Sequence, residues 1–168
     1  NMLTERIANF VSGIRTEDIP QDALDKARRG MTDFIGVALA GSQEELGRLI
    51  REYGTRMGGV AEASIIASNQ KTSPEMAALV NGTMGHALDY DDMSVAPISH
   101  PSVFLAPAIL AVGESIGASG LEALTAYVVG YEVAGSVAEP MFQSHYVQGW
   151  HSTSTFGSLG AAAAVAWL

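Results

Sequence analysis

Apolar residues return every third or fourth position along almost the whole of this chain, and that spacing commits it to helices. Ile7, Phe10, Val11 and Ile14 share one face of a first helix. Leu24, Ala27, Met31, Phe34, Ile35, Ala38 and Leu39 mark a second, opened by Pro20 and closed near Gly41. A third is expected to start at a capping box, Ser42 with Glu45, and to bury Leu46, Leu49, Ile50, Tyr53 and Met57 before Gly58 and Gly59. Ser73-Pro74-Glu75 begins a fourth, with Met76, Leu79, Val80, Met84 and Leu88 on its core face. Pro101 opens the next, with a bend expected at Pro107. After Gly120 comes a long helix, apolar on the face of Leu121, Leu124, Val128 and Tyr131. It is small or apolar on the other, so burial all round is expected. The closing segment, "GSLGAAAAVAWL", reads as a tightly packing helix, and "ASIIAS" as the one short strand. The fold class is all-α.

The 168 residues suffice for one domain with a core, and there are no cysteines to form disulfides or thiolate metal sites. That absence fits a cytoplasmic protein. Asn1 before Met2 reads as a tag remnant, which leaves residues 2–168 as the domain. No stretch has the length of a membrane span, and Pro107 and Glu114 interrupt the most apolar segment. The net charge of −9 argues against nucleic acid, which asks for a basic footprint. All nine Lys and Arg lie between Arg6 and Lys71, whereas all four histidines follow, at His86, His100, His145 and His151. In the cation-free part, only histidines and helix N-termini can meet an anion.

The stretch "HALDYDDMSVAPISHPS", His86 to Ser102, gathers three aspartates and two histidines. Like charges so close repel unless something compensates them. His86 and Asp89, three apart, share a face if the fourth helix persists that far. Asp91 and Asp92 fall where it ends, as cap or turn residues. His100 precedes Pro101 and so stands at a helix N-terminus. "WHSTSTFGSLG" repeats that arrangement, with His151 ahead of a run of N-cap formers. Two histidines at two helix starts suit a carboxylate substrate whose reaction needs proton transfer. His145 reads as an ordinary hydrogen bonder, and Glu114 and Glu132 as acids facing water or a partner. Imidazoles and carboxylates also suit a metal, but the aspartate spacing is not DDxxD and no Lys or Arg is at hand for a diphosphate. No metal is assigned.

The blocks "NGTMGHALDYDD", "HPS", "AYVVGYEV" and "GWHSTSTFGSLGAAAAVAWL" resemble, in order and spacing, the MmgE/PrpD family. That family includes 2-methylcitrate and citrate dehydratases, cis-aconitate decarboxylases and iminodisuccinate epimerases. The resemblance implies a large helical domain with a smaller lid, usually a homodimer, working on small di- or tricarboxylic acids without a cofactor. It implies that this chain is the N-terminal portion of the helical domain, with the lid, a site lysine and a tyrosine beyond Leu168. The resemblance implies that Asp89, His100 and His151 match active-site positions, and His86, Ser94 and Thr153 are the candidate substrate-binding residues beside them. Ser94 or Met93 stands where a threonine is frequent, in a loop about one residue longer than in the decarboxylases. The activity expected of the whole protein is dehydration of a (2-methyl)citrate-type acid by His100 and His151 as base and acid. Asp89 would set a tautomer or take the proton. Decarboxylation and epimerisation remain open, as does a non-catalytic dimerisation scaffold with an incomplete carboxylate site.

Overall fold

The computed structural model describes residues 2–95 and 98–168, so Asn1 lies outside the described residues. The chain is all-α. Its helices are α1 (Leu3–Gly13), α2 (Gln21–Gly41), α3 (Glu45–Met57), α4 (Pro74–His86), α5 (Pro101–Ile116), α6 (Gly120–Ala138), α7 (Phe142–Val147) and α8 (Ser152–Trp167). The expected strand is reduced to a two-residue pairing, β1 (Ala63–Ser64) antiparallel to β2 (Lys71–Thr72).

The core forms where α2, α4, α5, α6 and α8 meet, around Phe34, Val80, Met84, Leu105, Ile109 and Ala126. α5, α6 and α8 come close because small residues face each other. A β-carbon on Gly130 would lie 2.5 Å from Leu105 Cδ2 and 2.7 Å from the Gly160 carbonyl oxygen, inside any tolerable contact. α5 runs unbroken through the buried Pro107, against which Gly82 of α4 packs. Of α6 from Ala123 to Ala138, only Glu132 and Ser136 are exposed, close to the all-round burial expected of it. α1 buries no residue fully, and Trp167 Nε1 donates to the Ile14 carbonyl at 3.1 Å, tying the last helix to the end of the first.

Three expectations for the first half are overturned, the simplest being Leu79 of α4, which is exposed and not in the core. Ser42 does not cap α3: it follows α2, and its hydroxyl donates to the Leu39 carbonyl at 2.6 Å, while Glu44 takes the N-cap position. Most of the apolar stripe of α3 is not buried either: Leu46, Leu49, Tyr53 and Met57 are exposed, and only Ile50 of the five packs against the core. α3 lies down on its glycines. A β-carbon on Gly47 would collide with the Gly41 carbonyl, and one on Gly54 would sit 2.7 Å from Val80 Cγ2. So close an approach leaves the larger side chains turned outward.

Glu114 is exposed, as expected, and is also tied into the fold. Its carboxylate accepts from the Ser64 backbone N–H at 2.7 Å and the Ser64 hydroxyl at 2.8 Å, and pairs with Lys71 Nζ at 2.6 Å. It fastens the β-hairpin to α5.

Candidate active site

α4 ends at His86, and two residues past its cap Asp89 takes a left-handed backbone with φ of 50°. Aspartate tolerates that conformation better than most residues. The reversal splits the three aspartates three ways. Asp89 faces solvent, with its side chain 78% exposed, and Asp91 turns inward with its side chain 0% exposed. Asp92 turns to the start of α5, where its carboxylate accepts from the Ser102 backbone N–H at 3.0 Å and the Ser102 hydroxyl at 2.7 Å. It thereby satisfies a donor that the helix N-terminus leaves open. The helical face expected for His86 and Asp89 therefore does not exist, because α4 has already ended.

Asp91 is the hub. Its carboxylate lies 2.9 and 3.1 Å from His86 Nδ1, and its backbone carbonyl 3.3 Å from His100 Nδ1, with Oδ2 at 3.5 Å. A carbonyl can only accept, so His100 carries its proton on Nδ1, and the carboxylate assigns the same tautomer to His86. In a ring that carries its proton on Nδ1 alone, the Nε2 lone pair is free. Both Nε2 atoms face one carboxylate oxygen, Asp89 Oδ1, at 4.0 Å from His86 and 3.8 Å from His100. The two rings stand 5.0 Å apart, edge to face.

The third histidine arrives with α8. His100 and His151 are the N-cap residues of α5 and α8, and the His151 ring is 6.5 Å from that of His86. Packing of α5 on α8 holds the two starts together, and the Thr153 hydroxyl accepts the His100 backbone N–H at 3.1 Å. Beside it, in the first turn of α8, the buried Ser152 hydroxyl has no hydrogen-bond partner among the described residues. Three imidazoles thus lie together beside the starts of α5 and α8.

Of the expected site residues, the structure brings Asp89, His86, His100 and His151 together. Thr153 is close by, but buried and engaged with the His100 backbone. Ser94 is directed elsewhere. Its hydroxyl pairs with Tyr131 at 2.8 Å, in a cavity of about 450 Å³ lined by Lys26, Asp92, Tyr127 and Glu132 but by none of the histidines. His145 pairs with Thr155 at 2.8 Å and packs on Phe156. Sequence reasoning missed the role of Asp91, since spacing alone does not say which of three aspartates turns inward.

Behind the site runs a second network. Tyr127 donates to the Ser102 hydroxyl at 2.6 Å, which in turn donates to Asp92. Gly30 of α2 makes room for that phenol, because a β-carbon there would lie 2.8 Å from Ser102 Oγ. Burial raises the Asp92 carboxyl above its usual range, with Ser102 partly offsetting it and the Asp33 and Asp91 charges adding to it. Burial, and after it the Asp92 charge, likewise holds Tyr127 as a neutral phenol.

The sequence signature of the MmgE/PrpD N-terminal domain matches residues 5–168. The cis-aconitate decarboxylase-like protein oryM of Aspergillus oryzae is 35% identical over 96% of this chain and 35% of its own length. The cis-aconitate decarboxylases of Mus musculus and Homo sapiens are each 27% identical over 96% of this chain, covering 34% and 35% of those proteins. The chain thus spans about a third of the length of the curated relatives it matches. By the extent of the domain match, the chain belongs to the MmgE/PrpD family.

Proposed function

We propose that this chain supplies the proton-transfer half of a lyase site for a small di- or tricarboxylic acid, with decarboxylation of a cis-aconitate-like substrate as its reaction. One observation carries the reading: Asp91 holds the Nδ1 protons of His86 and His100, which leaves two Nε2 atoms side by side at an open surface. The relatives are cis-aconitate decarboxylases or decarboxylase-like by name, which supports decarboxylation over the dehydration expected from the sequence. In decarboxylation the bond to a carboxylate carbon breaks and carbon dioxide leaves. The electron pair spreads onto the conjugated carboxylate that remains, and an imidazolium returns a proton to carbon. Dehydration uses the same groups, with one imidazole taking the proton beside a carboxylate and another protonating the departing hydroxyl.

His100 and His151 are the acid and base of this scheme, and His86 holds a substrate carboxylate. Asp89 orders that imidazole pair or relays the proton, while Asp91 fixes the rings. The start of α8 offers a substrate carboxylate a helix N-terminus. The cations that a polycarboxylate needs are absent from this half of the sequence, so in the proposed whole protein they come from elsewhere. A cytoplasmic homodimer without a cofactor is part of the same proposal.

The test is carbon dioxide release from cis-aconitate by the whole protein, with citrate and 2-methylcitrate dehydration run in parallel. His100→Ala and His151→Ala should each lower turnover on the order of a hundredfold or more. Near-wild-type turnover in either variant removes that residue's role. Dehydration without carbon dioxide release restores the dehydratase. If no acid is turned over and none shifts the melting curve, the scaffold reading stands.

A further inference from the structure

We infer that His86, His100 and Asp89 form a binding site for one zinc-class divalent cation, with Asp91 holding the two imidazoles from behind. The inference does not rest on the lyase reading. Ligand-capable atoms of His86, Asp89, Asp91 and His100 lie within 4.8 Å of one another. The arrangement goes beyond mere proximity. A metal-bound histidine almost always gives its other ring N–H to a carboxylate or a carbonyl, which fixes the ring and makes the free nitrogen more basic. Asp91 provides both acceptors, its carboxylate for His86 and its carbonyl for His100. The two nitrogens left over point toward the same carboxylate oxygen.

Distances are compatible with a tetrahedral ion. Zinc bonds of about 2.0–2.1 Å hold neighbouring ligand atoms about 3.4 Å apart. The present separations from Asp89 Oδ1, 4.0 and 3.8 Å, therefore close with a movement of about half an ångström. Asp89 is exposed enough to make that movement. Charge favours the ion as well, because among the described residues both aspartates have only histidines as ion-pair partners. Two nitrogens and one carboxylate suit zinc and its neighbours rather than magnesium, which prefers oxygen. Water or the His151 ring completes the coordination.

Titration calorimetry of this chain with zinc chloride near neutral pH tests the site. The expected result is one ion per chain at micromolar affinity, with no heat from magnesium chloride. Asp89→Asn removes one ligand charge at an exposed position and should weaken zinc at least tenfold with the melting temperature unchanged. His100→Ala, checked for folding by circular dichroism, should weaken it similarly. No zinc binding, zinc binding unaltered by Asp89→Asn, or equal binding of magnesium would each overturn the inference.

Discussion

α3 and α6 make opposite use of their sequences. α3 separates apolar from polar residues more cleanly than any other helix here, yet it leaves the apolar stripe outside and packs through Gly47 and Gly54. α6 has little such separation, and it is buried almost completely against α5 and α8. Amphipathic spacing announces which face wants cover, whereas the distance at which helices meet is decided by where side chains are missing. In this chain the glycines outrank the leucines.

The largest effect should come where a branched side chain would meet two neighbouring helices at once. Gly130→Val in α6 forces a side chain into Leu105 and the Gly160 backbone and should cost at least the 1–3 kcal/mol typical of overpacking, measured by urea unfolding. Gly47→Ala should act similarly in α3, since a β-carbon there meets the Gly41 carbonyl. A mild Gly47→Ala would break the parallel between the two helices.

Asp91→Asn comes next, at about 1–3 kcal/mol, because the buried carboxylate that accepts from His86 is weakened. Glu114→Gln should cost less, on the order of 1 kcal/mol, as expected for a partly exposed ion pair. Its pH dependence has a definite sign. Burial pushes the Glu114 carboxyl up, but the hydrogen bonds from Lys71 and Ser64 outweigh it and hold the carboxyl below its ordinary value. The stabilisation is therefore present above the ordinary glutamate range and is lost as pH falls through the lowered value. Melting temperatures of wild type and Glu114→Gln should differ near neutral pH and converge in acid.

Leu49→Ser in α3 should be the smallest change, within about 0.5 kcal/mol. A loss comparable to that of Gly130→Val would mean that the α3 stripe is covered in solution, and the comparison would have to be redrawn.

Much of this was legible in the sequence. Pro74 and Pro101 are the first residues of α4 and α5, and His100 and His151 stand at helix starts, because proline placement and capping chemistry are local rules. Ser42 was misread because the capping pattern ignores the Gly41–Gly47 contact, which pulls the turn tight and moves the cap to Glu44. The division of labour among Asp89, Asp91 and Asp92 was hidden for a different reason. It depends on one left-handed residue and on where α5 arrives, and both are properties of the folded chain.

The central claim is that Asp91 keeps the protons of His86 and His100 on Nδ1 and leaves Nε2 free. Nitrogen-15 NMR of the imidazoles, at a pH where the rings are neutral, reads this directly. The account predicts a protonated Nδ1 and a bare Nε2 for both rings, with the preference weakened at His86 and kept at His100 in Asp91→Asn, because a backbone carbonyl holds His100. An Nε2–H tautomer at either histidine would contradict it.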